Sequence, residues 1–143
     1  MVDVVALNES GDGSPYDRPR DGGTTDAYLQ LSFDYWLSGP NGEKGPAWID
    51  VLTAPAKAML LIGLTLREDF ELPLERAPKW YGISADTALR GFNELRQHGL
   101  LDSRLEVVDA PLSPEGITRI SRYTLLAPFE SRKRKKIPLR KVS

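Results

Sequence analysis

The sequence predicts an α+β, mainly helical domain: a three-helix core followed by a β-hairpin, with an extra hairpin or short helix in front. Three observations carry this expectation. An Ala- and Leu-rich run begins at Thr53, an amphipathic stretch is bounded by Ser84 and Gly99, and two β-rich segments flank a loop with two prolines and a glycine. Residues 1–26 read as a disordered acidic leader, 27–129 as the folded domain with an aromatic amino-terminal extension, and 130–143 as a flexible basic tail.

In chain order, residues 8–26 are rich in Gly, Ser, Asp, Pro and Thr, too poor in apolar groups to offset the entropy of ordering. Leu29, Leu31, Phe33 and Tyr35 then alternate with polar residues like a half-buried strand. The Ser38 to Pro46 segment is turn material, and Trp48 to Leu52 is the expected return strand; Phe33, Trp36 and Leu37 also fit a short helix. Thr53 with Pro55 in the first turn opens a helix to Leu66, apolar almost all round and hence central. Phe70 to Leu72 forms a short strand and Leu74 to Tyr81 a second helix, in which Pro78 fits only near the start.

The third helix is the most sharply marked. Ser84 caps it, since its hydroxyl can accept a bond from an orphaned backbone N–H, and Gly82 suits the turn before it. Ala88, Phe92 and Leu95 recur at steps of three and four, while Asp86, Arg90, Asn93, Arg96 and Gln97 fall elsewhere on the surface. Gly99 ends the helix, and Leu100 and Leu101 fold back onto the core. Leu105 to Val108 and Ile117 to Leu126 complete the chain as a hairpin.

Composition excludes several classes. The longest apolar run, Ala54 to Leu66, is interrupted by Lys57 and Thr65 and is too short to cross a bilayer, so no membrane role is expected. No cysteine is present among the 143 residues, which removes disulfide frameworks and thiolate metal sites, and no secretory signal opens the chain. A cytoplasmic, nucleoid-associated location is the expectation. The single histidine, His98, lies at a helix end where solvent exposure or the dipole explains it. Glu68, Asp69 and Glu71 read as a charged turn, and the glycines at 11, 13, 22 and 23 lack the strand and helix of a phosphate loop. No enzyme, metal or cofactor is therefore expected. Tyr35, Trp36, Trp48, Trp80 and Tyr81 sit beside apolar runs and are read as packing groups.

Ile83, Ser84, Thr87, Phe92, Leu95, Gly99, Leu100 and Leu101 together resemble the winged helix-turn-helix of bacterial MarR-like and GntR-like regulators, over about residues 53–126. The resemblance implies a protein of transcription or of phage or plasmid replication, whose third helix enters the major groove of double-stranded DNA. Ser84, Ala85, Asp86, Leu89, Arg90 and Asn93 are then the base-reading candidates, with Arg90 suited to guanine and Asn93 to adenine. Arg76, Lys79, Thr87, Arg104, Arg119 and Arg122 are the phosphate candidates.

Charge is unevenly placed. The leader nets minus four and the tail plus six, with Arg132, Lys133, Arg134, Lys135 and Lys136 in one block. Seven tail bases meeting phosphates would give a slope of log affinity on log salt of roughly minus six. Two features depart from the family pattern: Asp86 repels phosphate near the helix start, and the hairpin loop carries Asp109 and Glu115 around an apolar Leu112. They favour a second reading, an interaction module that meets a protein partner through Leu89, Leu112 or the aromatic extension while the tail holds nucleic acid unspecifically. A monomer or homodimer fits either reading; no long helix is left for dimerisation, which points to residues 28–52.

Overall fold

The computed structural model describes residues 4–7, 10–16 and 29–130. In the leader, Leu7 and Pro15 form an isolated bridge, and the Tyr16 N–H donates to the Ala6 carbonyl at 2.8 Å. The rest of the leader and the basic tail lie outside the described residues.

Among the described residues, five α-helices and one three-stranded antiparallel sheet make a small α+β domain: α1 (Asp34–Leu37), α2 (Trp48–Val51), α3 (Ala54–Thr65), β1 (Phe70–Glu71), α4 (Ala77–Tyr81), α5 (Ala85–Gln97), β2 (Leu101–Asp109) and β3 (Ile117–Leu125). A 3-10 turn over Leu74–Arg76 leads into α4, which places Pro78 in the first helical turn, where its missing N–H is harmless.

Of the two readings of the extension the short helix holds, as α1 at Asp34–Leu37, and the expected return strand at 48–52 is instead α2. Alternation fails at Phe33: Tyr35 is buried and Leu31 packs against the core, whereas Phe33 between them is 81% exposed. Local bonds favour the helical turn, since the Asp34 carboxylate accepts the hydroxyls of Ser32 and Ser38 at 2.8 and 2.9 Å. Those bonds also hold the Asp34 carboxyl below its usual range, Ser32 contributing most. Tyr35 and Trp48 both meet Phe129 edge-on, with ring centroids 6.3 Å apart, so the extension closes over the chain's return from β3.

The main core lies between α3, α5 and the sheet. Ala56, Met59 and Leu60 of α3 face Ala88, Phe92 and Leu95 of α5, all fully buried or nearly so. The two helices cross at Gly91, where an added Cβ would lie 2.4 Å from the Pro55 carbonyl oxygen and 2.5 Å from Met59 Cγ. Only glycine permits this approach. Contrary to an apolar surface buried all round, α3 leaves Leu61 exposed.

The sheet order is β1-β3-β2, with Phe70 opposite Tyr123 and β2 paired with β3 from Leu101↔Leu125 to Asp109↔Ile117. Phe92 stacks on Tyr123 at 4.3 Å, tying α5 to the sheet. β2 starts four residues before the expected strand because Leu100 and Leu101, leaving the left-handed Gly99 (φ 69°), are drawn straight into the core.

Candidate nucleic-acid interface

α5 begins with the cap that the sequence predicts: Ser84 Oγ accepts the Thr87 N–H at 3.1 Å and lies 2.8 Å from Thr87 Oγ1. Ser84 and Thr87, candidates for base and phosphate contact, are thus joined to each other. From this start the wheel divides cleanly. Ala88, Gly91, Phe92 and Leu95 face inward, and Asp86, Arg90, Asn93 and Gln97 lie on the opposite, exposed side. Leu89 and Arg96 occupy one exposed flank, Ala85 is half-buried, and Asn93, Arg96 and Gln97 line a shallow concavity.

The other flank is fixed from outside the helix. The Glu94 carboxylate accepts the backbone N–H of Thr53 at 2.9 Å and also the Thr53 hydroxyl. A side chain of α5 therefore caps α3, which uses none of its own side chains for the purpose. That function was not legible in the sequence, where Glu94 is one more acid on a helix.

Asp86 and Arg90 form an ion pair one helical turn apart, Nε to Oδ2 at 3.1 Å, with the side chains 75% and 64% exposed. An exposed pair at this spacing is worth only about 0.3–0.5 kcal/mol. It orients the guanidinium without committing it, and the acid that would repel phosphate is itself neutralised by a neighbour.

The basic residues of the sheet are held differently. Arg104 and Arg122 are directly opposite in the β2–β3 register. The Arg104 guanidinium donates through Nε to Asp69 Oδ1 at 3.2 Å and through Nη2 to the second carboxylate oxygen. Arg122 donates to Glu106 and, through Nη1, to the Asp69 carbonyl at 3.3 Å. The hydrogen-bonded carboxylates of Asp69 and Glu106 raise the pKa of Arg104 and Arg122 respectively. Asp69 makes its contacts from a left-handed backbone, φ 59°. Asp69 of the acidic cluster after α3 is thus a clasp for the sheet arginines, and both arginines are engaged where free phosphate anchors are expected.

Arg76, Lys79 and Arg119 are exposed and make no ion pair among the described residues. Arg132, Lys133, Arg134, Lys135 and Lys136 lie outside the described residues. His98 is half-buried and meets Trp48 edge-on at 5.5 Å, a packing contact that the exposed or dipole-matched reading misses. Of the aromatics expected to pack, Tyr35 and Trp48 do so, but Trp36 and Trp80 are more than half exposed.

Among the described residues, no group of three or more His, Cys, Asp or Glu side chains is placed to hold a metal ion, and no helix is long and apolar enough to cross a membrane. The hairpin beyond the body exposes apolar side chains on β2 and at its tip: Leu105 and Val107 are 64% and 58% exposed, and Leu112 fully so. No family model matches the sequence, and no curated protein or solved structure is significantly similar to it.

Proposed function

We propose that this protein binds double-stranded DNA sequence-specifically through α5, as a winged helix-turn-helix regulator of transcription or of phage or plasmid replication. The observation that carries the reading is the division of α5. Its inward face is locked against α3 and the sheet, and its outward face offers Arg90, Asn93 and Gln97 beside Asp86 on an exposed surface. A helix about 10–12 Å across fits the major groove, and Arg and Asn are the side chains that bond two atoms of one base. Asp86 then holds the Arg90 fork in position through a bond weak enough to open. Arg76, Lys79 and Arg119 supply backbone contacts in this reading, the tail adds unspecific attraction, and no enzymatic step or cofactor is involved.

The test is binding to a pool of genomic fragments across a salt series, with the full chain, a chain ending at Phe129, and the double variant Arg90→Ala, Asn93→Ala. The double variant loses sequence preference, each lost bidentate contact costing roughly 1–3 kcal/mol of discrimination. The shortened chain keeps preference but shows a shallower salt dependence. Unchanged preference in the double variant overturns the proposal. The apolar tip at Leu112 supports a second reading, a protein-docking module with an unspecific tail; it takes over if removing the tail abolishes all binding and no fragment is preferred.

A further inference from the structure

β2 is the outer strand of the sheet, and its free edge is uncovered by any other described element. Which backbone groups that edge presents follows from two hydrogen bonds that bracket the hairpin. The Ala110 N–H donates to the Gly116 carbonyl and the Leu126 N–H to the Leu100 carbonyl, both at 2.8 Å. Leu100 and Ala110 thus turn their polar groups toward β3, and the pairing between them is unbroken. In an antiparallel ladder the direction alternates, so the even positions of β2 bond to β3 and the odd positions Ser103, Leu105 and Val107 direct N–H and C=O outward. The Ser103 N–H meets the neighbouring Asp102 carboxylate at 2.9 Å, a bond it gives up when a strand pairs there. A nine-residue edge of this kind, with Leu105 and Val107 exposed beside it, is a template for another strand.

The strand that fits is β2 itself. Leu105 is its midpoint, so a twofold axis there pairs Leu105 with the partner's Leu105 and uses the strand from end to end. Ser103 then bonds with the partner's Val107, all through outward-facing groups. Arg104 comes opposite the partner's Glu106 at a non-hydrogen-bonded position, where Cα atoms approach to about 4.5 Å and side chains meet most closely. The axis repeats this opposite-charge pair. Arg104 keeps donors beyond those given to Asp69, and Glu106 keeps an oxygen beyond the one given to Arg122, so the clasps on either side join into one chain of alternating charge. Moving the axis to Val107 would set Leu105 against Asp109 and leave Arg104 and Glu106 without each other; moving it to Ser103 would leave Val107 beyond the paired strands. We infer that two copies of this chain associate through β2, antiparallel about Leu105, giving a continuous six-stranded sheet. This is independent of DNA binding, and it differs from the dimer through residues 28–52 that the sequence alone favours.

Sedimentation equilibrium of the full chain, with amide hydrogen exchange over the same concentrations, tests the inference. The expected result is a dimer in which protection of the Ser103, Leu105 and Val107 amides rises with concentration, whereas Arg104 and Glu106 are protected throughout. Leu105→Pro removes an N–H that β3 does not use and weakens the dimer by at least about 30-fold, through the bond lost on each side of the axis. Leu105→Lys, at an exposed position, sets like charges together and has the same effect without altering backbone chemistry. A full chain that stays monomeric overturns the inference. So does a dimer indifferent to both variants, which would use another surface. Protection at the odd positions that is independent of concentration and vanishes in a chain ending at Phe129 also overturns it, because the chain's own tail would then occupy the edge.

Discussion

The arginines of α5 and the facing pair Arg104 and Arg122 of the β2–β3 hairpin have the same chemistry and opposite circumstances. Arg90 is held by one exposed carboxylate a helical turn away, and Arg96 by no ion pair among the described residues. Arg104 and Arg122 are each clasped by an acid brought from elsewhere in the chain, and they share Asp69, one through its carboxylate and the other through its carbonyl. Formal charge is thus a poor guide to which surface can accept a phosphate or a base; the number of donors already engaged is a better one. The outward face of the helix is open, and Arg104 and Arg122 of the sheet serve its own geometry, leaving Arg119 as the exposed base of β3 without an ion pair among the described residues.

The largest effect is expected where the two regions share support. Phe92→Ala removes the ring that stacks on Tyr123 and is nearly fully buried, and should lower stability by about 3–5 kcal/mol in denaturant titrations. Both surfaces should then lose order together in hydrogen exchange; independent loss would show that they are separate units. A finer contrast, which rests on the proposed DNA binding, comes from the salt dependence of affinity in that complex. Arg119→Ala should make the slope shallower by about one. Arg104→Ala should leave it unchanged while lowering thermal stability slightly, and a slope change as large as that of Arg119→Ala would show that the clasp opens. The smallest effect lies outside both regions and marks the scale of a purely structural carboxylate. Asp34 has its pKa lowered on folding, so its contribution is present above the ordinary carboxylate range and lost as pH falls through its folded value. Acid titration followed by tryptophan fluorescence should show a loosening around Trp36 and Trp48 that Asp34→Asn makes flatter.

How much of this was legible in advance depends on the range of the interaction. The start and stop of α5 were, because Ser84 bonds three residues ahead and Gly99 acts on its own backbone. The hairpin was legible as well, from two β-rich runs around a proline-bearing loop. The helices α1 and α2 were not resolved from strands, since Phe33 belongs both to the alternation with Leu29, Leu31 and Tyr35 and to the helical spacing with Trp36 and Leu37, and burial of Tyr35 depends on Phe129 far along the chain. The outward residues of α5 were found by spacing alone, but the commitments of Glu94 to Thr53, 41 residues away, and of Arg104 to Asp69, 35 away, needed the tertiary fold. Contacts of that range leave no periodic trace.

The absence of a side chain at Gly91 has a last consequence. With the α5 backbone lying directly on the Pro55 carbonyl, the helix cannot roll about its own axis without steric collision or loss of contact, so its azimuth is set before any ligand arrives. In the complex proposed above, ordering this helix then takes nothing from the binding free energy, and the loss of overall translation and rotation and the fixing of side chains are the costs that remain.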